Sequence, residues 1–380
     1  MRFRSPVPVR LLLLAIMVGM VQSQPSSAQD SNGTQLPKRI VGDYVYSTRF
    51  QNPPYSAEQI PYRELTHINH AGVSFNADGT LNVPAGFLEP KLINLAHANG
   101  VKVLLLIGGD FNGVESNGGL LTLVTRLTDF AAKHGYDGFD IDWEYPATTG
   151  DRNFFVEFMA ALRETNSDYV LSIDAAPWGG YGYDLAQLKL WINYFNIMMY
   201  DCAGPWTDDG QLNSPIFWDW HDPEPWECQP GGSDHGAAEI FLREVAPSQL
   251  NMGTPFYGYF YTNINQLFGV CPNSLKDKDG DCNNTVLTEN YAPFIKNRVN
   301  QQGWQTFYDP IALVPYMLRT DGNNGFITYD DPVSTYLRVS YSDWTLGLGG
   351  TFMWSLDADY DGGSQDLLDA MYQATINQGK

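Results

Sequence analysis

Two periodicities alternate along the chain from residue 39 onward. Short apolar runs of strand length are separated by stretches in which apolar residues recur at helical spacing. The strand candidates are residues 40–46, 66–75, 101–107, 135–144, 169–175, 195–201, 250–257 and 349–356. The helix candidates include residues 89–99, 120–134, 152–165, 237–244 and 332–346. This alternation is typical of an α/β protein with a parallel sheet.

The number of strand candidates predicts a closed (β/α)8 TIM barrel. An open doubly wound sheet is the alternative, but no Gly-x-Gly-x-x-Gly motif opens the first helix, which disfavours it. In a barrel, catalytic residues lie at the carboxyl ends of the strands. Glu144, Tyr200, Asp201 and Trp354 fall at or near the ends of three different strand candidates. The barrel therefore predicts that these four residues meet at one site.

One long interval interrupts the regular spacing, between residue 257 and the strand-like run at 326–331. It is too long for a plain loop and too short for an independent domain. It contains two cysteines and a helical stretch at 291–301. We therefore expect a small α+β insertion, residues 259–325, between barrel strands 7 and 8. The barrel itself is expected to comprise residues 39–258 and 326–377.

The amino terminus has the pattern of an export signal. Three arginines within residues 1–10 precede the apolar run 11–21 and the small residues Ser26, Ser27 and Ala28. We expect a signal peptide at 1–28 and a loose polar leader at 29–38. The apolar run is short for crossing a bilayer and no later stretch is longer, so a retained membrane anchor is the less favoured alternative. The prediction is a secreted, extracellular protein without a membrane partner.

Composition and charge narrow the possible partners. A hydrophobic content of 43% excludes a disordered chain, and a formal net charge of −21 disfavours nucleic acid and anionic membranes. So acidic a chain tolerates a neutral polysaccharide and would attract a cationic one, although solubility is the favoured explanation of the charge. Four cysteines fit two disulfides in an exported protein. Cys202–Cys228 and Cys271–Cys282 are favoured as short closures, but spacing alone allows three pairings.

The stretch 136–146, Tyr-Asp-Gly-Phe-Asp-Ile-Asp-Trp-Glu-Tyr-Pro, carries the candidate chemistry. In a strand, Asp140, Asp142 and Glu144 share one face, and apolar residues occupy the other. Same-face neighbours lie about 7 Å apart, so three ionised carboxylates would repel and at least one should hold a proton near neutral pH. A solvated edge strand would not need Phe, Ile and Trp between the acids, and a metal cage lacks obvious partner ligands. General acid catalysis is therefore the favoured interpretation.

With Asp137 included, these acids form the pattern Asp-x-x-Asp-x-Asp-x-Glu, so the chain resembles the glycoside hydrolase family 18 chitinases. Further elements that match this family are Met-x-Tyr-Asp ending at Asp201, Trp354 near the end of the last strand, and the segments 253–258 and 329–332. The resemblance covers residues 39–373. It implies that the insertion forms one wall of a substrate groove, and that the substrate is chitin or another polymer of N-acetylglucosamine.

The resemblance also implies a role for each matching residue. Glu144 would be the proton donor, with its pKa raised by desolvation and by Asp142. The 2-acetamido oxygen of the sugar would act as nucleophile, with net retention. Asp142 would orient the acetamido group, Asp140 would share its proton, and Tyr200 and Asp201 would hold the same sugar. The remaining candidates are substrate contacts: Trp354, Trp206, Tyr257, Met198, Gly108 and Gly109.

Two departures from the family pattern concern the support of Asp140. The third strand usually carries Ser-x-Gly-Gly, but this chain has Leu106 in the place of the serine. On the first strand, Asp43 or Tyr44 stands where the family has a tyrosine. Loss of one of these hydroxyl groups is expected to change the pKa of the shared proton or the pH optimum without removing the acid. Asp137 is expected to fix the start of the strand.

Other chemistries lack sequence support, because His-Glu-x-x-His, Cys-x-x-Cys, P-loop and Gly-x-Ser-x-Gly motifs are absent from the chain. No metal and no cofactor are expected, and a monomer is expected. Three functions stay open. The first is a chitinase. The second is a chitin-binding lectin, disfavoured because Glu144 is present. The third is an endo-β-N-acetylglucosaminidase acting on glycans or peptidoglycan.

Overall fold

The computed structural model describes residues 36–179, 182–222, 228, 232–299 and 301–377. The predicted signal peptide 1–28 and residues 29–35 of the predicted leader lie outside the described residues. The strands are, in chain order, β1 (Arg39–Val45), β2 (His67–Phe75), β3 (Leu81–Asn82), β4 (Lys102–Ile107), β5 (Gly138–Asp142), β6 (Val170–Ala175), β7 (Tyr194–Ile197), β8 (Leu250–Pro255), β9 (Tyr257–Tyr261), β10 (Val286–Asn290), β11 (Trp304–Tyr308), β12 (Pro315–Arg319), β13 (Phe326–Thr328) and β14 (Gly350–Trp354).

Eight of these strands close into a parallel barrel in the order β1-β14-β8-β7-β6-β5-β4-β2, with β1 pairing β2 to complete the ring. The short strand β3 pairs antiparallel to β2 outside the ring. The (β/α)8 TIM barrel predicted from the sequence is therefore confirmed. The helices are α1 (Pro90–Ala98), α2 (Phe111–Ser116), α3 (Leu120–His134), α4 (Thr149–Thr165), α5 (Leu185–Leu188), α6 (Asp234–Phe241), α7 (Pro332–Ser340) and α8 (Asp366–Ile376).

A second sheet interrupts the barrel between its seventh and eighth strands, as predicted. It is antiparallel, with the order β10-β9-β13-β12-β11. Its first strand begins at Tyr257, which the sequence pattern had placed at the end of a barrel strand. That placement was wrong because the barrel ladder ends at Pro255, and the N–H of Phe256 then donates to the carbonyl of Trp354 at 2.8 Å. The chain leaves the barrel at this point and enters the second sheet.

Local signals explain where the flanking helices begin and end. Helix α3 has the predicted bounds, and it ends at Gly135 in the left-handed conformation with φ of 82°. Helix α4 begins with a capping box between Thr148 and Asp151. The predicted helix 332–346 is shorter than expected, because α7 ends at Ser340 and a π-helical turn, Tyr341–Thr345, follows it.

A buried ion pair ties the barrel helices to the loop after β7. The guanidinium of Arg338 in α7 is fully buried and hydrogen-bonds the carboxylates of Asp234 and Asp330. It also donates to the carbonyl of Ser214 at 2.5 Å. Ser214 in turn donates its hydroxyl to the carbonyl of Met199. Helix α7 therefore anchors the segment that carries Tyr200, through the contacts of Arg338 with Ser214 and of Ser214 with Met199.

Candidate active site

The acidic strand has the predicted alternation. Phe139 and Ile141 are fully buried among the surrounding helices, and Trp143 stacks on Phe111 with ring centroids 4.6 Å apart. Asp140 points into the barrel and is completely buried. The ladder of β5 ends at Asp142, so Glu144 lies two residues beyond the strand that was predicted to contain it.

An open cleft of about 410 Å³ lies at the carboxyl ends of the barrel strands. It is within the usual size range of small-molecule sites. Its walls combine acidic and aromatic side chains from β5, β6, β9 and β14 with others from the segments that follow β5, β6 and β7. The lining residues are Asp142, Glu144, Tyr145, Asp174, Pro177, Trp178, Met198, Tyr200, Asp201, Trp206, Tyr257 and Trp354.

Asp140 lies beneath this cleft in a dense set of hydrogen bonds. Its Oδ1 accepts the hydroxyl of Ser172 at 2.5 Å, and its Oδ2 accepts the side-chain amide of Asn69. The amide of Asn196 donates to both oxygens at 3.3 and 3.4 Å. These donors oppose the effect of burial, which nevertheless raises the pKa of Asp140 to about 6.

The carboxyl group of Asp142 has a higher pKa than that of Asp140. Burial raises it first, followed by repulsion from Glu144 and from Asp140, to about 8. Asp142 is also hydrogen-bonded to Glu144. Asp142 therefore keeps its proton at neutral pH and can donate it to the hydrogen bond with Glu144.

Tyr200 and Asp201 follow β7, which ends at Ile197 rather than at residue 201. The ring of Tyr200 packs edge-on against Tyr257, with centroids 6.1 Å apart. Asp201 has a positive φ of 62°, and its N–H donates to Asn213 at 2.9 Å. Its carboxylate accepts the hydroxyl groups of Tyr257 and Tyr259. Burial raises the pKa of Asp201, and the two phenol donors oppose that shift.

Aromatic rings border the cleft. Trp354 and Trp206 are both 37% exposed, so each presents an indole face to the opening. Trp206 packs edge-on against Tyr259 of the second sheet. Tyr145 and Trp178 contact each other on the other side, with centroids 5.0 Å apart. Such flat apolar faces fit the C–H faces of sugar rings.

Two of the candidate substrate contacts do not line this cleft. A Cβ on Gly109 would meet the ring of Phe75 at 2.9 Å, and one on Gly108 would meet the carbonyl of Asp142 at 3.5 Å. Gly109 therefore allows close packing against Phe75, whereas a Cβ on Gly108 would make an ordinary van der Waals contact. Asp137 lies at the opposite end of β5, where it accepts the N–H of Val103 at 2.7 Å.

The sequence analysis missed Asp174, Tyr145 and Trp178 in the lining. A signal for Asp174 was present, because Ser172 and Asp174 alternate with Leu171 and Ile173 on β6 as the acids alternate on β5.

The sequence left open whether Asp43 or Tyr44 takes the position of the family's tyrosine on the first strand. Asp43 faces the barrel interior and accepts a hydrogen bond from the amide of Asn69 at 2.8 Å. Tyr44 faces outward and donates to Glu89 at 2.8 Å.

A (β/α)8 barrel with paired carboxyl groups and exposed indoles at the carboxyl ends of its strands defines a barrel glycosidase. Sequence comparison agrees. The sequence model of the family called glycosyl hydrolases family 18 matches residues 40–359. The chain belongs to this family.

Characterised relatives show moderate similarity to the chain. Endochitinase 1 of Metarhizium robertsii is 25% identical over 89% of this chain and 86% of its own length. Chitinase A1 of Niallia circulans is 24% identical over 94% of this chain, which spans 61% of that longer protein. The solved structure of Ostrinia furnacalis Group IV chitinase in complex with allosamidin superposes with a TM-score of 0.77. It covers 90% of this chain and all of its own, at 20% identity, and shows the shared fold.

Proposed function

We propose that this protein is a secreted chitinase that cleaves β-1,4 links between N-acetylglucosamine residues with retention of configuration. One observation carries the proposal. Asp142, Glu144, Tyr200 and Trp354 line a single cleft, and Asp140 lies directly beneath it. The relatives named above are chitinases by description, which supports chitin as the substrate. Chitin and its oligomers are thus the proposed partners, and the protein acts as a monomer.

In the first step, the acetamido oxygen of the sugar attacks its own anomeric carbon while Glu144 gives its proton to the departing glycosidic oxygen. The C–O bond breaks and a cyclic oxazolinium intermediate forms. Asp142 accepts the acetamido N–H and stabilises the positive charge. The hydroxyl of Tyr200 holds the acetamido carbonyl during the attack. Asp142 and Tyr200 both line the cleft, which supports a shared contact with one sugar.

In the second step, water attacks the anomeric carbon on the face that the leaving group vacated. Glu144, now ionised, takes the proton of this water, so that both the acid and the acetamido group are regenerated. Asp140 supports the change in charge by sharing a proton with Asp142. Trp354 stacks beneath the reacting sugar, and Trp206 contacts the leaving-group side. Tyr257, Asp201 and Met198 complete the pocket around this sugar.

Export is supported by the amino-terminal sequence and by the cysteines. Both disulfides are present, Cys202–Cys228 and Cys271–Cys282, as favoured from the sequence. Disulfides persist in oxidising compartments outside the cytosol. Among the described residues, none of the helices has the length and apolarity needed to cross a membrane.

The decisive experiment is proton NMR of the products formed from N-acetylglucosamine tetramers and hexamers during the first minutes of reaction. We expect the β-anomer of the new reducing end to appear first. An initial α-anomer would overturn retention. Binding without release of reducing ends would favour a lectin. Turnover of N-glycan or peptidoglycan without turnover of the oligomers would favour the third function.

A further inference from the structure

The inner acid Asp140 lacks the hydroxyl support that the family pattern places on the first and third barrel strands. Leu106 lies beside Asp140 in the β4–β5 register, and its side chain has no hydrogen-bond donor. On β1, the interior position belongs to Asp43, which is fully buried and whose Oδ2 has no partner. The amide of Asn69 donates to both Asp43 and Asp140, so Asp43 is linked to Asp140 through this amide and not by a hydrogen bond of its own. The support of Asp140 must therefore come from the other side of the barrel.

Asp174 occupies that side. It lies next to Asp142 in the β5–β6 register, is only 4% exposed, and lines the floor of the cleft. Its Oδ1 accepts the amide of Asn196 at 3.0 Å, and its carboxyl group is hydrogen-bonded to Asp140. Two carboxyl groups in hydrogen-bond contact inside a barrel share at least one proton, because two buried anions would repel.

The distribution of donors decides which group keeps the proton. Asp140 accepts hydrogen bonds from Ser172, Asn69 and Asn196. Asp174 accepts one, from Asn196. Several donors stabilise a carboxylate, so Asp140 is the anion and Asp174 is the acid. The pKa of Asp174 agrees, because burial followed by repulsion from Asp140, Asp43 and Asp142 raises it well above its usual range.

We propose that Asp174 is a positioning residue that remains a neutral carboxyl group and donates its proton to a hydrogen bond with Asp140. It thereby replaces the hydroxyl donors that Leu106 and Asp43 do not provide. Asp174 acts through Asp140. Asp140 must be ionised so that the proton on Asp142 stays on the oxygen that faces Glu144. The role of Asp140 in turnover rests on the function proposed above, whereas the protonation of Asp174 does not.

The surroundings of Asp174 favour the neutral form. The titratable groups that face it are acids and phenols from three strands and two adjoining segments: Asp43, Asp140, Asp142, Tyr183, Tyr194 and Tyr200. In the part of the chain that the structure describes, a cation is connected to Asp174 through a relay of amides. The guanidinium of Arg39 donates to Asn251 at 2.9 Å, and Asn251 donates to Asn196 at 2.9 Å. This relay orients the amide of Asn196 towards the two acids but adds no positive charge beside Asp174.

Two variants and one control test the proposal. Asp174→Asn keeps a neutral donor, so kcat/KM on N-acetylglucosamine tetramers should stay within about threefold of wild type, with an unchanged pH profile. Asp174→Ala removes the donor and raises the pKa of Asp140. We expect about a tenfold lower kcat/KM, and we expect the acid limb of the pH profile to move about one pH unit upward.

Glu64→Gln is the control. Like Asp174, Glu64 is a carboxyl group whose pKa is raised by burial, to about 8, but it is remote from the cleft. It should leave the profile unchanged.

Infrared spectroscopy supplies a readout that needs no substrate. At pH 7, the band of protonated carboxyl groups should decrease in Asp174→Asn relative to wild type, which supports the proposal even if Asp174→Ala fails to fold or the oligomers are not hydrolysed. An unchanged band means that Asp174 is ionised, and the proposal is then overturned. It is also overturned if Asp174→Asn moves the alkaline limb to lower pH, or if Asp174→Ala matches wild type in both limbs.

Discussion

The hydroxyl of Tyr257, the first residue of the second sheet, donates a hydrogen bond to the carboxylate of Asp201. Asp201 follows barrel strand β7, so this bond joins the insertion to the barrel inside the candidate site. Tyr259 of the same strand donates to the same oxygen at 2.6 Å. The insertion therefore contributes directly to the position and charge of Asp201, in addition to forming a wall.

Replacing Tyr257 by Phe removes one of the two phenol donors of Asp201. Burial already raises the pKa of Asp201, and loss of a donor raises it further. We expect kcat/KM on chito-oligomers to fall about tenfold and the acid limb of its pH profile to move to higher pH. Tyr316→Phe, in strand β12 and outside the cleft, is the control. An unchanged acid limb in Tyr257→Phe would contradict the role of this bond.

Replacing Glu144 by Gln keeps the shape of the side chain but removes the proton that it gives to the leaving group. We expect kcat to fall by a factor of about 10² to 10⁴, with oligomer affinity retained. Initial rates and calorimetric titration with an N-acetylglucosamine hexamer measure the two effects. Glu157→Gln, at an exposed position of helix α4, should behave as wild type. Near-native turnover in Glu144→Gln would show that another group is the acid.

The raised pKa of Asp142 predicts how stability depends on pH. The folded protein holds this proton up to about pH 8, whereas the unfolded chain releases it near its usual pKa of 3.8. Folding therefore takes up a proton between these values, and the free energy of unfolding falls as pH rises from about 4 to 8. Between pH 5 and pH 8 we expect wild type to lose about 4 kcal/mol more than Asp142→Asn. Urea unfolding at the two pH values measures this difference, and equal losses would refute it.

The two disulfides differ in loop length and in their distance from the site. Cys202 adjoins Asp201 and is bonded to Cys228, 26 residues away, whereas Cys271 and Cys282 are 11 residues apart in the insertion. We expect replacement of either pair by serine to cost about 3 kcal/mol of stability. Only the Cys202/Cys228 variant should also lose kcat, because Asp201 is then free to leave its left-handed conformation. Thermal unfolding and initial rates compare the two variants, and equal kcat losses would contradict this distinction.

The sequence determined the barrel strands, helix α3 and the alternation of acids on β5, and it favoured the two disulfide pairs that form. Each of these follows from neighbours along the chain. A period of two places Asp140 and Asp142 on one face, and each cysteine has a partner within a short loop. The matching motifs also selected Glu144, Tyr200 and Trp354, which the structure brings to one cleft.

Only the tertiary structure decided the ends of β5 and β7, the entry of Tyr257 into a second sheet, and the hydrogen bonds around Asp140. A strand ends where its neighbour stops pairing, which local periodicity does not encode. The partners of Asp140 come from β2, β6 and β7, and their contact depends on the register of the closed barrel. Asp174 became part of the site for the same reason, because the register of the closed barrel placed it beside Asp142.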